Sequence, residues 1–248
     1  TTEGIEVGAG ESYGILENAN LQDYSANDSV LINNGEIEYV NNSNFINNIS
    51  TGSFSGAFQN NGTGTDDGVL NSLFLDNVAA QNSGGAILNT DELGGIDSSV
   101  FIGNSAKYNG GAISNGSSGN LGNLNNVTFI GNSTTDSNDG GAIFNNGGII
   151  GEIVNSTFIG NTSARQGGAI TNYVGTIDKI SNTLFAGNKA ESLGGAIYNN
   201  GDITNGIINS TFIGNTGSRG GAIYTFTDLT ITSDNGTTTF FGNIYRNL

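Results

Sequence analysis

The 248-residue sequence contains no cysteine, histidine, proline, methionine or tryptophan. Without cysteine neither a disulfide framework nor a thiolate metal site can form. Without histidine the commonest metal ligand and general base is missing. These absences exclude much catalytic chemistry, so we expect no enzyme activity, no catalytic residue, no cofactor and no bound metal.

Charge is also scarce and mostly of one sign. Charged residues make up 11% of the chain, and the formal net charge is −16. Residues 1–106 contain fourteen acids and no lysine or arginine, whereas residues 107–248 contain eight acids and all six basic residues. Nucleic acid and anionic membranes need a basic surface, so we expect no nucleic-acid partner. The simplest role of the acidic half is solubility, and a cation-binding or partner-facing surface is the alternative.

Long apolar runs are absent as well. No run approaches the roughly 18 residues of a membrane-spanning helix, so we expect no membrane insertion of this segment. A chain that begins at Thr1 and contains no methionine is expected to be a processed mature form or an excised segment.

What the sequence does contain is a repeat of about 28 residues. The tetrad F-x-x-N recurs with steps of 27 to 29 residues, beginning at Phe45, Phe74, Phe101, Phe129, Phe158, Phe185, Phe212 and Phe240. The tetrapeptide G-G-A-I recurs in phase with it, beginning at Gly84, Gly110, Gly140, Gly167, Gly194 and Gly220. Two motifs in phase at a fixed period predict a solenoid.

Each repeat divides into three short apolar stretches separated by glycine, asparagine, serine and aspartate. In one unit these stretches are residues 183–186, 195–198 and 203–208. They have the length of strands and are too short for helices. We therefore predict an all-β protein: a single-stranded, right-handed parallel β-helix of the pectate-lyase type, with about eight rungs and three strands per rung. Residues 1–40 are expected to form an N-terminal cap and an irregular first rung, and residues 41–248 the β-helix repeat domain.

In such a coil, equivalent residues of successive rungs lie above one another. The phenylalanines and the isoleucines after Gly-Gly-Ala are expected to form apolar columns, and the tetrad asparagines a hydrogen-bonded ladder. The Gly-Gly pair before alanine is expected to supply a corner with positive φ and room for close backbone approach. Phe158 and Ile159 are both apolar, so strict alternation would expose one of them, whereas a bend at the tetrad would bury both. Residues after Gly-Gly-Ala-Ile vary, which predicts an outward face with Tyr198 and Tyr224 as surface aromatics.

The motif pair resembles the polymorphic membrane protein repeat of bacterial autotransporter passengers and related surface proteins. The resemblance covers residues 45–243. It implies a secreted right-handed β-helix that is displayed at the cell surface and is associated with adhesion.

Several charged residues are candidates for metal-binding or ligand-binding sites. The acid pairs Asp66-Asp67 and Asp91-Glu92 are expected to be turns, and Asp136 and Asp139 are the first places to look for a metal. Four basic residues lie in the loops between motifs and predict either a solvated stripe or a track for an anionic polymer; they are Lys107, Arg165, Lys189 and Arg219.

The leading hypothesis is a non-enzymatic extracellular or cell-surface β-helix, adhesin-like or self-associating. Its expected partners are a cell-surface protein, a glycan receptor or other copies of itself. One alternative is a fibre or sheath subunit stacked end to end, since no capping sequence follows the last tetrad. The other alternative is a polysaccharide lyase or hydrolase, which requires acids and an arginine from adjacent rungs to converge on one face.

Overall fold

The structure is a computed structural model, and it describes residues 4–62, 68–136, 138–234 and 236–245. The described residues form a parallel β-solenoid with three sheets. Every strand pairing is parallel and joins one rung to the next. This confirms the predicted parallel solenoid with three strands per rung, and the handedness stays a prediction.

The long sheet contains seventeen strand segments, because the face that it forms is usually divided into two segments in each rung. They are Ile5–Val7, Ser12–Glu17, Leu31–Asn33, Glu36–Asn41, Phe58–Asn60, Gly68–Leu70, Ile87–Asn89, Glu92–Asp97, Ile113–Asn115, Asn120–Asn125, Ile143–Asn146, Ile149–Val154, Ile170–Ser181, Ile197–Ile203, Ile207–Ile208, Ile223–Thr225 and Ile231–Thr232.

The phenylalanine sheet contains nine strands, and eight of them have the phenylalanine of a tetrad at the centre. The nine strands are Asn20–Gln22, Asn44–Ile46, Leu73–Leu75, Val100–Ile102, Thr128–Ile130, Thr157–Ile159, Leu184–Ala186, Thr211–Ile213 and Thr239–Phe241. Nine strands mean about nine rungs in the described chain, one more than predicted. The extra rung lies in the N-terminal segment, where Leu21 pairs with Phe45 in place of a phenylalanine.

The short sheet contains nine strands of two residues each. They are Ser25–Ala26, Ile49–Ser50, Val78–Ala79, Ser105–Ala106, Ser133–Thr134, Thr162–Ser163, Lys189–Ala190, Thr216–Gly217 and Ile244–Tyr245. None of the predicted apolar stretches corresponds to these strands, because they are only two residues long and most contain a polar residue. The predicted second and third stretches instead both belong to the long sheet.

The core is built from columns of like residues. Seven tetrad phenylalanines, from Phe45 to Phe212, are fully buried. Their rings stack in parallel with centroids 4.6–4.9 Å apart, and Phe240 continues the stack. Phe158 is buried while 39% of Ile159 is exposed, so these two residues alternate inward and outward, and the chain bends only at the next residue, Gly160, with a φ of +61°.

Two asparagine ladders line the inner corners of the coil. The tetrad asparagines form the predicted ladder; for example, Asn161 Nδ2 donates to Asn188 Oδ1 at 2.9 Å. A second ladder, not predicted, runs through the asparagines two positions after Gly-Gly-Ala-Ile, where Asn145 Nδ2 donates to Asn172 Oδ1 at 2.9 Å. Because each amide both donates and accepts, burying these polar side chains leaves few unpaired groups.

Glycine is required where the chain turns into the long sheet. Gly167 has a φ of +61°, which side chains rarely adopt. A Cβ atom on Gly168 would overlap the carbonyl oxygen of Gly195 in the next rung. These two demands explain why the Gly-Gly pair recurs in every complete copy.

Candidate functional site

The loop before each Gly-Gly pair folds back over the column of variable residues that follows Gly-Gly-Ala-Ile. Thr171 Oγ1, for example, donates to the carbonyl oxygen of Gln166 at 2.9 Å. Ser114, Phe144, Thr171 and Tyr198 in this column are therefore at most 6% exposed. The prediction that this column faces solvent is wrong, because the preceding loop covers it.

Tyr198 is the clearest correction. The predicted surface aromatic is only 5% exposed, and Tyr224 is half-buried. The Tyr224 ring lies parallel to the Tyr198 ring with centroids 6.2 Å apart, and Phe226 packs edge-on against Tyr198 at 6.0 Å. Side chains of the next rung thus cover Tyr198, while Phe226 itself stays exposed.

Asp139 and Arg165 come from adjacent rungs and form an ion pair beside this column. Arg165 Nε donates to Asp139 Oδ1 at 2.9 Å, and Arg165 Nη2 donates to Asp139 Oδ2. The backbone N–H of Gln166 also donates to Asp139 Oδ1 at 3.1 Å. The Asp139 carboxylate is buried, whereas half of the Arg165 side chain is exposed. The buried acid therefore fixes a guanidinium that still faces solvent.

The surroundings shift the protonation of this cluster. Burial raises the pKa of Asp139 above its ordinary value, although the hydrogen bonds from Arg165 and Gln166 oppose the shift. The hydrogen bond to Asp139 raises the pKa of the Arg165 guanidinium, so that group stays charged. Burial, followed by the charge of Asp139, raises the pKa of the Tyr198 phenol. The Tyr198 phenol and the Arg165 guanidinium therefore both stay protonated at neutral pH and can donate hydrogen bonds.

A strained bulge places Tyr173 beside the ion pair. Tyr173 pairs with Asn200 and Thr176 pairs with Asp202, so two residues of this strand oppose one residue of the next. Val174, within the bulge, has a φ of +49° and is exposed. This backbone region is unfavourable for a β-branched residue, and bulges often reorient side chains near sites. The equivalent residue of the previous rung is Gly147, with a φ of +75°.

The bulge and the loops enclose a cleft of about 280 Å³. The cleft is lined by the Asp139–Arg165 ion pair, by two aromatic rings, and by the amide side chains of Asn109, Asn138 and Asn146. The two rings belong to Phe144 and Tyr173, which lie on successive rungs of the same face. We call this the Asp139 cleft.

The other predicted site residues lie elsewhere or act as turns. Lys189 pairs with Glu191, and Lys107 Nζ lies 5.4 Å from the centroid of the Tyr108 ring. Asp91 Oδ1 accepts the backbone N–H of Glu92, as expected for a turn. Asp136 is an exposed turn residue with a φ of +50°. Asp66 and Asp67 lie outside the described residues.

Sequence reasoning missed several members of the cleft, among them Asn109 and Tyr173. A signal for Tyr173 was present, because Val174 stands where the preceding rung has a glycine at the same turn. Asn109 carries no comparable signal, since loop residues before Gly-Gly differ from copy to copy.

Comparison with known families gives one match. The Chlamydia polymorphic membrane protein repeat matches five times between residues 98 and 225, at 98–116, 126–146, 155–173, 182–200 and 209–225. These five matched segments are copies of the polymorphic membrane protein repeat that the sequence motifs resemble. The repeats and the solenoid fold fit a surface β-helix protein.

No match was found among curated proteins or among solved structures. Within the described ranges, none of the secondary structure is a helix with the length and apolar character needed to cross a membrane. The polymorphic membrane protein repeats cover the Asp139 cleft, since matched segments include Asn109, Phe144 and Tyr173.

Proposed function

We propose that this chain is a non-enzymatic, extracellular, adhesin-like scaffold that binds its partner through the outer face of its middle and C-terminal rungs. The observation that carries the proposal is the Asp139 cleft together with the exposed ring of Phe226, which directly follows the strand Ile223–Thr225 two rungs beyond the strand of Tyr173. Exposed rings beside a fixed guanidinium are the residue types that dominate binding surfaces. The stacked core beneath them supplies a rigid support for such a surface.

The ionisation of the cluster favours binding over catalysis. Asp139 is engaged by Arg165 through both carboxylate oxygens, and the raised pKa of Tyr198 keeps its phenol protonated. A group that removes a proton from a substrate needs an accessible basic form near the working pH. Neither side chain offers one.

The adhesion proposal is tested with beads coated with the purified chain and applied to a panel of cell types. We expect the coated beads to bind at least one cell type, and Phe226→Ala to weaken that binding. The matched control is Tyr13→Ala, which removes another exposed ring, from the N-terminal strand Ser12–Glu17. Binding that is absent throughout the panel, or equally affected by both variants, contradicts the proposal. Light scattering of the free chain separates adhesion from association between copies.

A polysaccharide lyase or hydrolase is the second candidate, because Asp139 and Arg165 from adjacent rungs do converge on one face. The described cleft supplies one carboxylate, whereas glycoside hydrolysis ordinarily uses two. Incubation with neutral and uronic-acid polysaccharides, followed by measurement of new reducing or unsaturated ends, tests this candidate. Turnover that is lost in Asp139→Asn would establish it and defeat the scaffold proposal.

A further inference from the structure

The Asp139 cleft contains polar groups that the described protein leaves without partners. The amide side chain of Asn146 is exposed and makes no hydrogen bond to the described residues, and the same holds for Nδ2 of Asn109 and Nη1 of Arg165. Together they offer several donors within one small concavity. Sites for small polar ligands combine a few convergent groups of this kind with apolar walls.

One wall of the cleft is the aromatic ring of Tyr173, which lies next to a strained backbone position. Tyr173 is 40% exposed, and the residue after it, Val174, has a left-handed backbone conformation. Strain of this kind persists where the surrounding structure imposes it, and it occurs disproportionately at ligand sites. The bulge thus presents the Tyr173 ring to solvent at the edge of the cleft.

Charge narrows the class of ligand. The chain has a net charge of −16, which repels polyanions at long range. The single guanidinium of the cleft is already neutralised by Asp139. Amide donors, an ion pair and ring faces match a molecule with many hydroxyl groups and apolar C–H faces, because hydroxyls pair with the amides while C–H groups pack on the rings.

From these contacts we propose that the Asp139 cleft binds an uncharged oligosaccharide, with one sugar ring packed on Tyr173 and its hydroxyls bonded to Asn109, Asn146 and Arg165. The proposal rests on the adhesive function proposed above and assigns it a ligand class and a site. The rungs continue the same face towards Tyr198 and Phe226, so a chain of sugars can extend along the solenoid axis from the cleft.

The test uses the full chain on an array of neutral, sialylated and sulfated oligosaccharides, followed by calorimetric titration with the strongest neutral binder. We expect neutral glycans to bind and Tyr173→Ala to weaken the affinity at least tenfold. Tyr13→Ala is the matched control, since Tyr13 is 44% exposed and lies in the N-terminal strand Ser12–Glu17, away from the cleft. It should leave the affinity unchanged. Asn146→Asp, which keeps the shape and removes the amide donors, should weaken binding severalfold, and circular dichroism verifies the fold of each variant.

The opposing outcomes are distinct. Binding confined to sulfated or sialylated glycans, no glycan binding, or equal effects of Tyr173→Ala and Tyr13→Ala would overturn the assignment. Coated beads that still bind cells in that case would leave the adhesive function standing and show that only the ligand was wrong.

Discussion

Asn161 offers a direct test of the buried asparagine ladder. Its side chain makes four hydrogen bonds across three rungs. Oδ1 accepts from N and Nδ2 of Asn132, both at 3.0 Å, and Nδ2 donates to the carbonyl oxygen of Phe129 at 3.0 Å and to Asn188 Oδ1 at 2.9 Å. Asn161 is fully buried. Replacing it by alanine therefore removes all four bonds in a place where water has little access.

The magnitude follows from these contacts. Each neutral bond contributes about 1 kcal/mol, and a stranded buried donor costs about 1–3 kcal/mol more. Asn132 Nδ2 keeps its bond to the Phe101 carbonyl at 3.0 Å, whereas the backbone N–H of Asn132 loses its side-chain acceptor. We expect Asn161→Ala to lower the free energy of unfolding by about 5 kcal/mol or more.

Asn161→Asp separates hydrogen bonding from volume. An ionised aspartate keeps both acceptor bonds but cannot donate, and its charge lies against Asn188 Oδ1. A protonated aspartate regains one hydrogen-bond donor. Burial and this hydrogen bond both favour the neutral form, so the pKa of the aspartate in the folded state lies above its unfolded value. Its stability is then highest below the unfolded pKa and is lost as the pH rises through the folded pKa. The destabilisation by alanine should not depend on pH in that range.

Urea unfolding followed by circular dichroism at pH 4 and pH 7 measures both effects. Asn205→Ala is the control, because Asn205 is exposed and its side chain makes one bond, to Asp178 at 2.6 Å. It should cost less than about 1 kcal/mol. An Asn161→Ala variant as stable as Asn205→Ala would refute the ladder as a source of stability.

Three further predictions use the same unfolding assay or a titration. Phe158→Ala should lower the free energy of unfolding by about 3–5 kcal/mol. For Tyr198→Ala the sequence alone predicts a loss of no more than about 1 kcal/mol, but because the ring is covered we expect a loss of about 2–4 kcal/mol. Equal stability of Tyr198→Ala and wild type would contradict this. Val174→Gly should stabilise the chain by up to about 1 kcal/mol, since relief of the left-handed strain exceeds the entropy cost of glycine, and a loss of stability would argue against the strain. Burial and the hydrogen bond to Asp28 raise the pKa of Tyr24 to about 12. Ultraviolet titration of wild type against Tyr24→Phe should therefore show this phenol ionising near pH 12, and its contribution to stability should be present below pH 10 and lost towards pH 12. Ionisation near pH 10 would contradict the contact.

Sequence periodicity predicted the features that repeat, and the structure confirms them. The tetrad carried the phenylalanine column and the first asparagine ladder, because stacked rungs require like residues at like positions. The short sheet was missed because strands such as Thr162–Ser163 are polar and only two residues long. The second ladder was visible in the asparagine two positions after Gly-Gly-Ala-Ile but was not recognised as a separate column.

The candidate site was less predictable because it is made of exceptions to the repeat. Arg165 reaches Asp139 only because the two loops lie on adjacent rungs, a contact that the separate motifs do not specify. The burial of Tyr198 depends on Phe226, which follows the last Gly-Gly-Ala-Ile copy in a segment without a motif. Periodicity fixes which residues share a column, but the loops decide which members of that column reach solvent.

The central claim is that equivalent residues of successive repeats lie in register, since this register also assembles the Asp139 cleft. The cysteine-free background allows a direct measurement with engineered disulfides. Ile130 and Ile159 are register partners on adjacent rungs, whereas Ile130 and Ala186 lie two rungs apart. Adjacent strands lie about 4.8 Å apart, within the Cα separation that a disulfide spans, and two rungs exceed it. The account predicts that cysteines at 130 and 159 cross-link under mild oxidation and that cysteines at 130 and 186 do not; the reverse result, or equal cross-linking of both pairs, would contradict it.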